Sequence, residues 1–211
     1  MLSEKIYSIA LLADEAVLNL LLILSIMNVA VILERFFYIR KFWKSSEVVR
    51  AKIKLALENN AINELENIAK ETDSLEGKAA RYALEYMKSH GSKGLEEFFN
   101  TFVQTHKPEM ENRLGFLATV GSNAPFIGLL GTVFGIMKVF RELSLVTEQG
   151  SNQVVIMSGI SMALVATGAG LLVAIPAVVS FNFFNRKVRY IFENLDSLKE
   201  MTIAYSKQKG L

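Results

Sequence analysis

Thr132 and Thr167 are hydroxyl-bearing residues set in long stretches without charge: Leu114 to Met137 and Gln149 to Asn185 hold no Asp, Glu, Lys, Arg or His. A threonine hydroxyl does not titrate near neutral pH. It can bond a carbonyl one turn back on its own helix, hold a water, or bond a carboxylate brought by another chain. Proton relays through membranes normally use titratable groups. If protons pass here, the ionisable group must come from elsewhere. Counted from outer ends near Phe140 and Gly159, each threonine lies about 12 Å deep at roughly 1.5 Å per residue. The spacing therefore predicts matched depth on antiparallel helices, a candidate hydrated or partner-facing polar site. Asn28, Ser122 and Asn123 are candidates to continue a polar track towards the cytoplasm.

The threonines sit on faces of small residues. Gly121, Pro125, Gly128, Thr132 and Gly135 step by four, three, four and three, with Gly131 beside them; Gly159, Ala163, Thr167, Gly170, Ala174 and Ala177 step by four, four, three, four and three, with Pro176 among them. Such spacing traces one helix face and lets backbones approach closely where lipid gives no hydrophobic drive for association. Two readings follow: tight packing of the two helices on each other, or a face that lines a pore or a slot for a partner helix.

The elements that position these residues are membrane spans. The chain has 211 residues, 51% of them hydrophobic, with a formal net charge of +2. A third charge-free stretch runs from Ala16 to Leu33, and a helix needs about 20 apolar residues to cross the hydrocarbon core. The first stretch does not fit a signal peptide: Glu4, Asp14 and Glu15 outnumber Lys5 before it, and Glu34-Arg35-Phe36-Phe37-Tyr38-Ile39-Arg40-Lys41 after it is an aromatic and basic anchor rather than a cleavage site. Lys and Arg mark the cytoplasmic side. They cluster after the first span, before the second (Lys107, Arg113) and after the third (Arg186, Lys187, Arg189). This predicts an outer N-terminal segment 1–15, spans 16–33, 114–140 and 154–185, an inner helical domain 34–113, an outer loop 141–153 and an inner tail helix 186–211. The fold class expected is all-α, a multi-pass membrane protein whose long helices extend into a helical cytoplasmic domain, with the N-terminus outside.

Helical spacing in the inner segment is carried by Val49, Ile53, Leu57, Ile62, Leu65 and Ile68, then by Leu75, Ala79, Tyr82 and Met87, then by Leu95, Phe98, Phe99 and Phe102. Gly77 and the His90–Gly94 stretch read as breaks or caps. The tail continues the pattern at Val188, Ile191, Leu195, Leu198 and Ile203. Other chemistries find no support. With no cysteine there is no thiol catalysis or disulfide. His90 and His106 lack metal-ligand spacing, so neither a metal nor a cofactor is expected. No Gly-x-x-x-x-Gly-Lys loop suggests ATP use, no hydrolase triad stands out, and no basic stripe suggests nucleic acid. Trp43, Tyr38 and Phe36 fit an interfacial aromatic belt.

The segment Leu117–Met137, LATVGSNAPFIGLLGTVFGIM, resembles the second membrane helix of the ExbB/TolQ/MotA proton-channel family, and Ala163–Ala177, ALVATGAGLLVAIPA, resembles the third. Glu34-Arg35 and the order of three spans around one large inner segment resemble the family as well. The resemblance implies a homopentamer in the bacterial inner membrane, lining a central pore with spans two and three. It implies ExbD- or TolR-like single-span subunits in that pore whose membrane aspartate carries protons beside Thr132 and Thr167, and a TonB- or TolA-like protein that takes up the motion. Most like ExbB, such a protein is a subunit of a proton-motive-force-driven motor, not an enzyme. A TolQ-like role and a passive scaffold without ion flux are the alternatives; a flagellar stator is disfavoured because that branch usually has four spans. In one departure, Met162 stands where the family often has a Glu five residues before the third-span threonine.

Overall fold

The computed structural model describes the backbone of residues 2–59, 61, 64–71, 74–145 and 152–210; of these, the side chains of 2–15, 57, 58, 144, 145, 152, 153 and 155 are not described. Ile62 and residues 146–151 of the expected outer loop lie outside the described residues. Among the described residues six helices follow one another: α1 Leu2–Glu58, α2 Leu65–Ile68, α3 Leu75–His90, α4 Leu95–Glu111, α5 Leu114–Leu145 and α6 Asn152–Lys209. There is no strand among the described residues. Three of the helices, α1, α5 and α6, are long and apolar enough to cross a membrane. The fold is all-α, as the periodicity predicts.

The chain divides into two compact units. The first comprises α1 up to Leu33 together with Gly115–Phe181. Its core holds Val17, Leu21, Val120, Ala124, Val173, Ala174 and Ala177. Around that core, large apolar side chains stay exposed, among them Phe126, Leu164 and Leu172 at 68%, 65% and 70%. Exposure on that scale suits helices whose outer faces meet lipid or another apolar helix.

The second unit comprises Glu34–Leu114 and Asn182–Leu211. Its core is built of larger side chains, with Val49, Ile53, Leu65, Ile68, Leu95, Phe99, Ile191, Leu195 and Leu198 all buried. These are the positions the helical spacing marks. Tyr82, on the same sequence stripe, is 43% exposed and rests its ring against Phe102.

Gly77 does not break α3. It lies in the first turn, where its N–H donates to Oγ of the N-cap Ser74 at 2.8 Å. A Cβ there would run into the Glu71 carbonyl, so the glycine serves close approach rather than a turn. The breaks fall at Gly91 and Gly94, whose φ of 68° and 83° favour a residue without Cβ. The two histidines flank this region as ring partners: His90 stacks on Tyr86 at 4.7 Å and His106 on Phe102 at 4.2 Å.

Between α4 and α5 the chain turns at Arg113, a non-glycine residue with φ of 62°. Glu34 lies 3.4 Å from the Arg113 guanidinium and accepts two hydrogen bonds from the buried Arg35. Arg35 also donates to the Glu109 carbonyl, and the Tyr38 hydroxyl donates to the Glu109 carboxylate at 2.7 Å. The Glu34-Arg35 pair thus ties α1 to the end of α4 and to the turn that follows it.

Candidate functional site in the apolar helix pair

The two small-residue stripes meet. A Cβ on Gly128 would lie 2.8 Å from the Ala166 carbonyl oxygen and 3.1 Å from the Cα atoms of both Thr167 and Gly170. One on Gly170 would lie 2.6 Å from the Ala124 carbonyl oxygen. These neighbours are backbone, which cannot step aside as a flexible side chain can. Gly135 meets Ala163, Gly121 meets Val178 and Gly159 meets Val139, so the contact runs along both helices in antiparallel order. Gly131 faces Ala166 and also Val17, which brings α1 into the same seam. Gly115 and Gly168, outside the seam, have open space where a Cβ would stand. Pro125 and Pro176 lie inside α5 and α6, within the stretch that the contact covers.

Thr132 and Thr167 each follow the contacting pair Gly131 and Ala166 by one residue, which on antiparallel helices leaves them about 3 Å apart along the axis, at similar depth. Both are partly exposed. The Thr132 hydroxyl donates to the Leu129 carbonyl of its own helix at 2.7 Å, and the Thr167 hydroxyl donates across to the Gly128 carbonyl at 3.3 Å. A hydroxyl that donates to the backbone keeps its oxygen lone pairs for an incoming donor, a water or a protonated carboxyl group.

The remaining polar candidates separate into two settings. Ser122 and Asn123 are exposed, and both bond the Thr119 carbonyl of α5, at 3.1 Å and 2.8 Å. Asn28 is 2% exposed, and its amide donates to the Val173 carbonyl of α6 at 3.1 Å. Its Oδ1 is buried without a partner among the described residues. Asn28 therefore fastens α1 to α6 within one chain, and no hydrogen bond links it to Ser122 or Asn123. Met162 is 53% exposed and lines a groove with Gly135, Val139, Ser158 and Gly159.

A second polar cluster, in the other unit, was not visible in the sequence reading. Glu76 on α3 is fully buried, and one of its carboxyl oxygens accepts from the Ser46 hydroxyl of α1 and from the Asn194 amide of α6 at 3.2 Å. Asn194 also donates to the Ser46 hydroxyl at 2.8 Å. The other Glu76 oxygen has no partner among the described residues. Burial pushes the Glu76 carboxyl above the usual carboxylate range, against the smaller opposing pull of the Ser46, backbone and Asn194 hydrogen bonds. The available signal was spacing: Glu76 shares a helical face with the buried Ala79, Ala80, Ala83 and Met87.

The profile of the MotA/TolQ/ExbB proton channel family matches residues 71–197. An ExbB-like 2 biopolymer transport protein of Helicobacter pylori is 48% identical over 87 residues, 41% of this chain and 57% of that protein. The Tol-Pal system protein TolQ of Pseudomonas aeruginosa is 42% identical over 94 residues, 44% of this chain and 40% of that protein. The biopolymer transport protein ExbB of Neisseria meningitidis is 29% identical over 190 residues, 85% of each chain. The chain thus spans about half the length of the first two relatives and most of the third. With a match over more than half its residues, three membrane-length apolar helices and the threonine-bearing pair described above, this chain is a membrane protein of the MotA/TolQ/ExbB proton channel family.

Proposed function

We propose that this chain is the channel-forming subunit of an inner-membrane motor driven by the proton motive force, ExbB-like, which energises transport across the outer membrane through a TonB-like protein. In this reading several copies, five by family resemblance, enclose a pore lined by α5 and α6. An ExbD-like single-span subunit enters the pore and supplies a membrane aspartate as the proton carrier. The observation that carries the reading is the placement of Thr132 and Thr167 at similar depth on a helix pair whose charge-free stretches hold no ionisable group. Their oxygens can accept from a protonated carboxyl or from the water that exchanges with it. Exposed Ser122 and Asn123 lie two to three turns further along α5, where they add polar groups nearer the other end of the helix. The excess of Lys and Arg at one end of each span supports an outer N-terminus and an inner second unit.

A TolQ-like role is the second reading, favoured by the likeness to the Pseudomonas aeruginosa protein. The adjacent genes separate the two: a TonB-like neighbour supports the first, TolA- and TolB-like neighbours the second. The test of the shared mechanism is proton uptake by proteoliposomes holding this chain with its single-span partner. Thr132→Val and Thr167→Val are each expected to cut uptake by about tenfold or more, the scale on which a positioned proton-transfer group acts, while leaving assembly intact. Unchanged uptake in both would refute the threonine site. No uptake by the unaltered pair would favour a passive scaffold.

A further inference from the structure

In the second unit, a cavity of about 300 Å³ lies between α1 and α6, where the charge-free stretches end, past Leu33 on α1 and around Asn185 on α6. Three cations, Arg40, Lys44 and Lys187, line it against one carboxylate, Glu47. Among the described residues none of the three is in an ion pair. Aromatic rings hold two of them instead. The Lys187 ammonium stands 3.1 Å from the centre of the Trp43 ring and 5.4 Å from that of Phe183. The Arg40 guanidinium stands 5.6 Å from the Phe36 ring. A ring face attracts a cation without neutralising it, so the cavity keeps an excess of positive charge. Its walls are otherwise apolar, with Ile39 and Phe184 both 2% exposed.

A free inorganic anion would answer the charge and leave the rings facing water. A phospholipid answers both. Its phosphate meets the cations, and its glycerol and upper acyl chain meet the aromatic wall. The place in the chain agrees: basic pockets beside membrane helices take anionic head groups, and aromatic belts sit at head-group level. We infer that this cavity binds an anionic phospholipid, with its phosphate among Arg40, Lys44 and Lys187 and its apolar part against Phe36 and Phe183. The site does not depend on the motor reading.

The test is retention of lipid by the purified full chain in detergent, read by native mass spectrometry. Phosphatidylglycerol, phosphatidylcholine and inorganic phosphate are the probes. The chain is expected to prefer phosphatidylglycerol over phosphatidylcholine by about tenfold or more, given the usual attraction of each basic residue for anionic lipid. Excess inorganic phosphate is expected not to displace the lipid. Arg40→Gln, Lys44→Gln and Lys187→Gln combined should erase the preference. Lys41→Gln, Arg186→Gln and Arg189→Gln combined remove the same charge from residues that do not line the cavity, and should keep it. If the first triple variant loses its helical circular dichroism, Lys187→Gln alone is measured, with a loss of about threefold to fivefold expected. Equal retention of the two lipids, equal loss in both triple variants, no loss in a folded variant of the cavity, or displacement by phosphate would each overturn the site.

Discussion

The first unit is packed with alanine, valine and glycine, backbone against backbone, while the second is packed with phenylalanine, leucine and isoleucine, side chain against side chain. The solvent accounts for the difference. Lipid tails are as apolar as a leucine, so burying one against another gains little, and helices associate by close contact of small residues. Water expels large apolar surface, so a core exposed to it in the unfolded state is stabilised by volume. Polar groups follow the same division. In the first unit they are hydroxyls and amides that bond helix carbonyls. In the second a carboxyl is buried outright, held by a hydroxyl and an amide.

Substitutions that remove or add volume should therefore act in opposite ways on the two units. The largest effect is expected from Phe99→Ala, at a ring 1% exposed. Truncating a buried phenylalanine costs about 3–5 kcal/mol. Denaturant unfolding in mixed micelles, followed by a probe in the second unit, measures it. A loss under 1 kcal/mol, well below the bottom of that range, would mean that this core can collapse around the gap.

Next in size is Gly170→Ala, which adds one methyl against the Ala124 carbonyl oxygen. Overpacking of this kind costs about 1–3 kcal/mol. Gly168→Ala has open space within the chain and should be close to neutral in the isolated subunit. The pair compared by the same unfolding assay isolates the seam from helix propensity. Equal effects at the two positions would break the contrast drawn between the units.

The third prediction concerns pH. Burial raises the Glu76 carboxyl above its ordinary range in the folded protein. As pH rises past the unfolded value, the unfolded chain releases this proton first, so the folded state binds more protons and loses stability with each step in pH. The loss ends once pH exceeds the folded value. Glu76→Gln keeps the shape and removes the titration. It should be nearly neutral at acid pH and gain on the unaltered protein as pH rises. A stability difference that stays flat from acid to alkaline pH would show that Glu76 is charged when folded.

The sequence made one class of feature plain. Three charge-free stretches announced the apolar helices, and glycine and alanine at intervals of three and four announced the seam, because close backbone approach admits few residue types. The spacing of Val49, Ile53, Leu65 and Ile68 likewise marked buried positions, since a helix repeats its face. Pairings between distant segments were hidden. Nothing local to Ser46, Glu76 or Asn194 says that three helices bring them together. Trp43 read as one more interfacial aromatic, yet its ring carries Lys187, which is 144 positions further along the chain. Asn28 was placed with Ser122 and Asn123 by polarity, whereas its burial against Val173 depends on which face of α1 meets α6. Gly77 read as a break or a cap; it lies in the capped first turn, and the close carbonyl that calls for a glycine there comes from Glu71, which spacing does not announce.

The buried carboxyl has a use beyond stability. A protonated carboxylic acid absorbs in the infrared apart from every ionised carboxylate and every backbone amide, and its frequency depends on the hydrogen bonds its carbonyl accepts. Glu76 takes those bonds from α1 and α6 while itself riding on α3. At a pH below its raised folded value, where Glu76 keeps its proton, the protein carries a native vibrational label, read by difference spectroscopy without a dye or a tag. Any rearrangement among these three helices would be written into that one band.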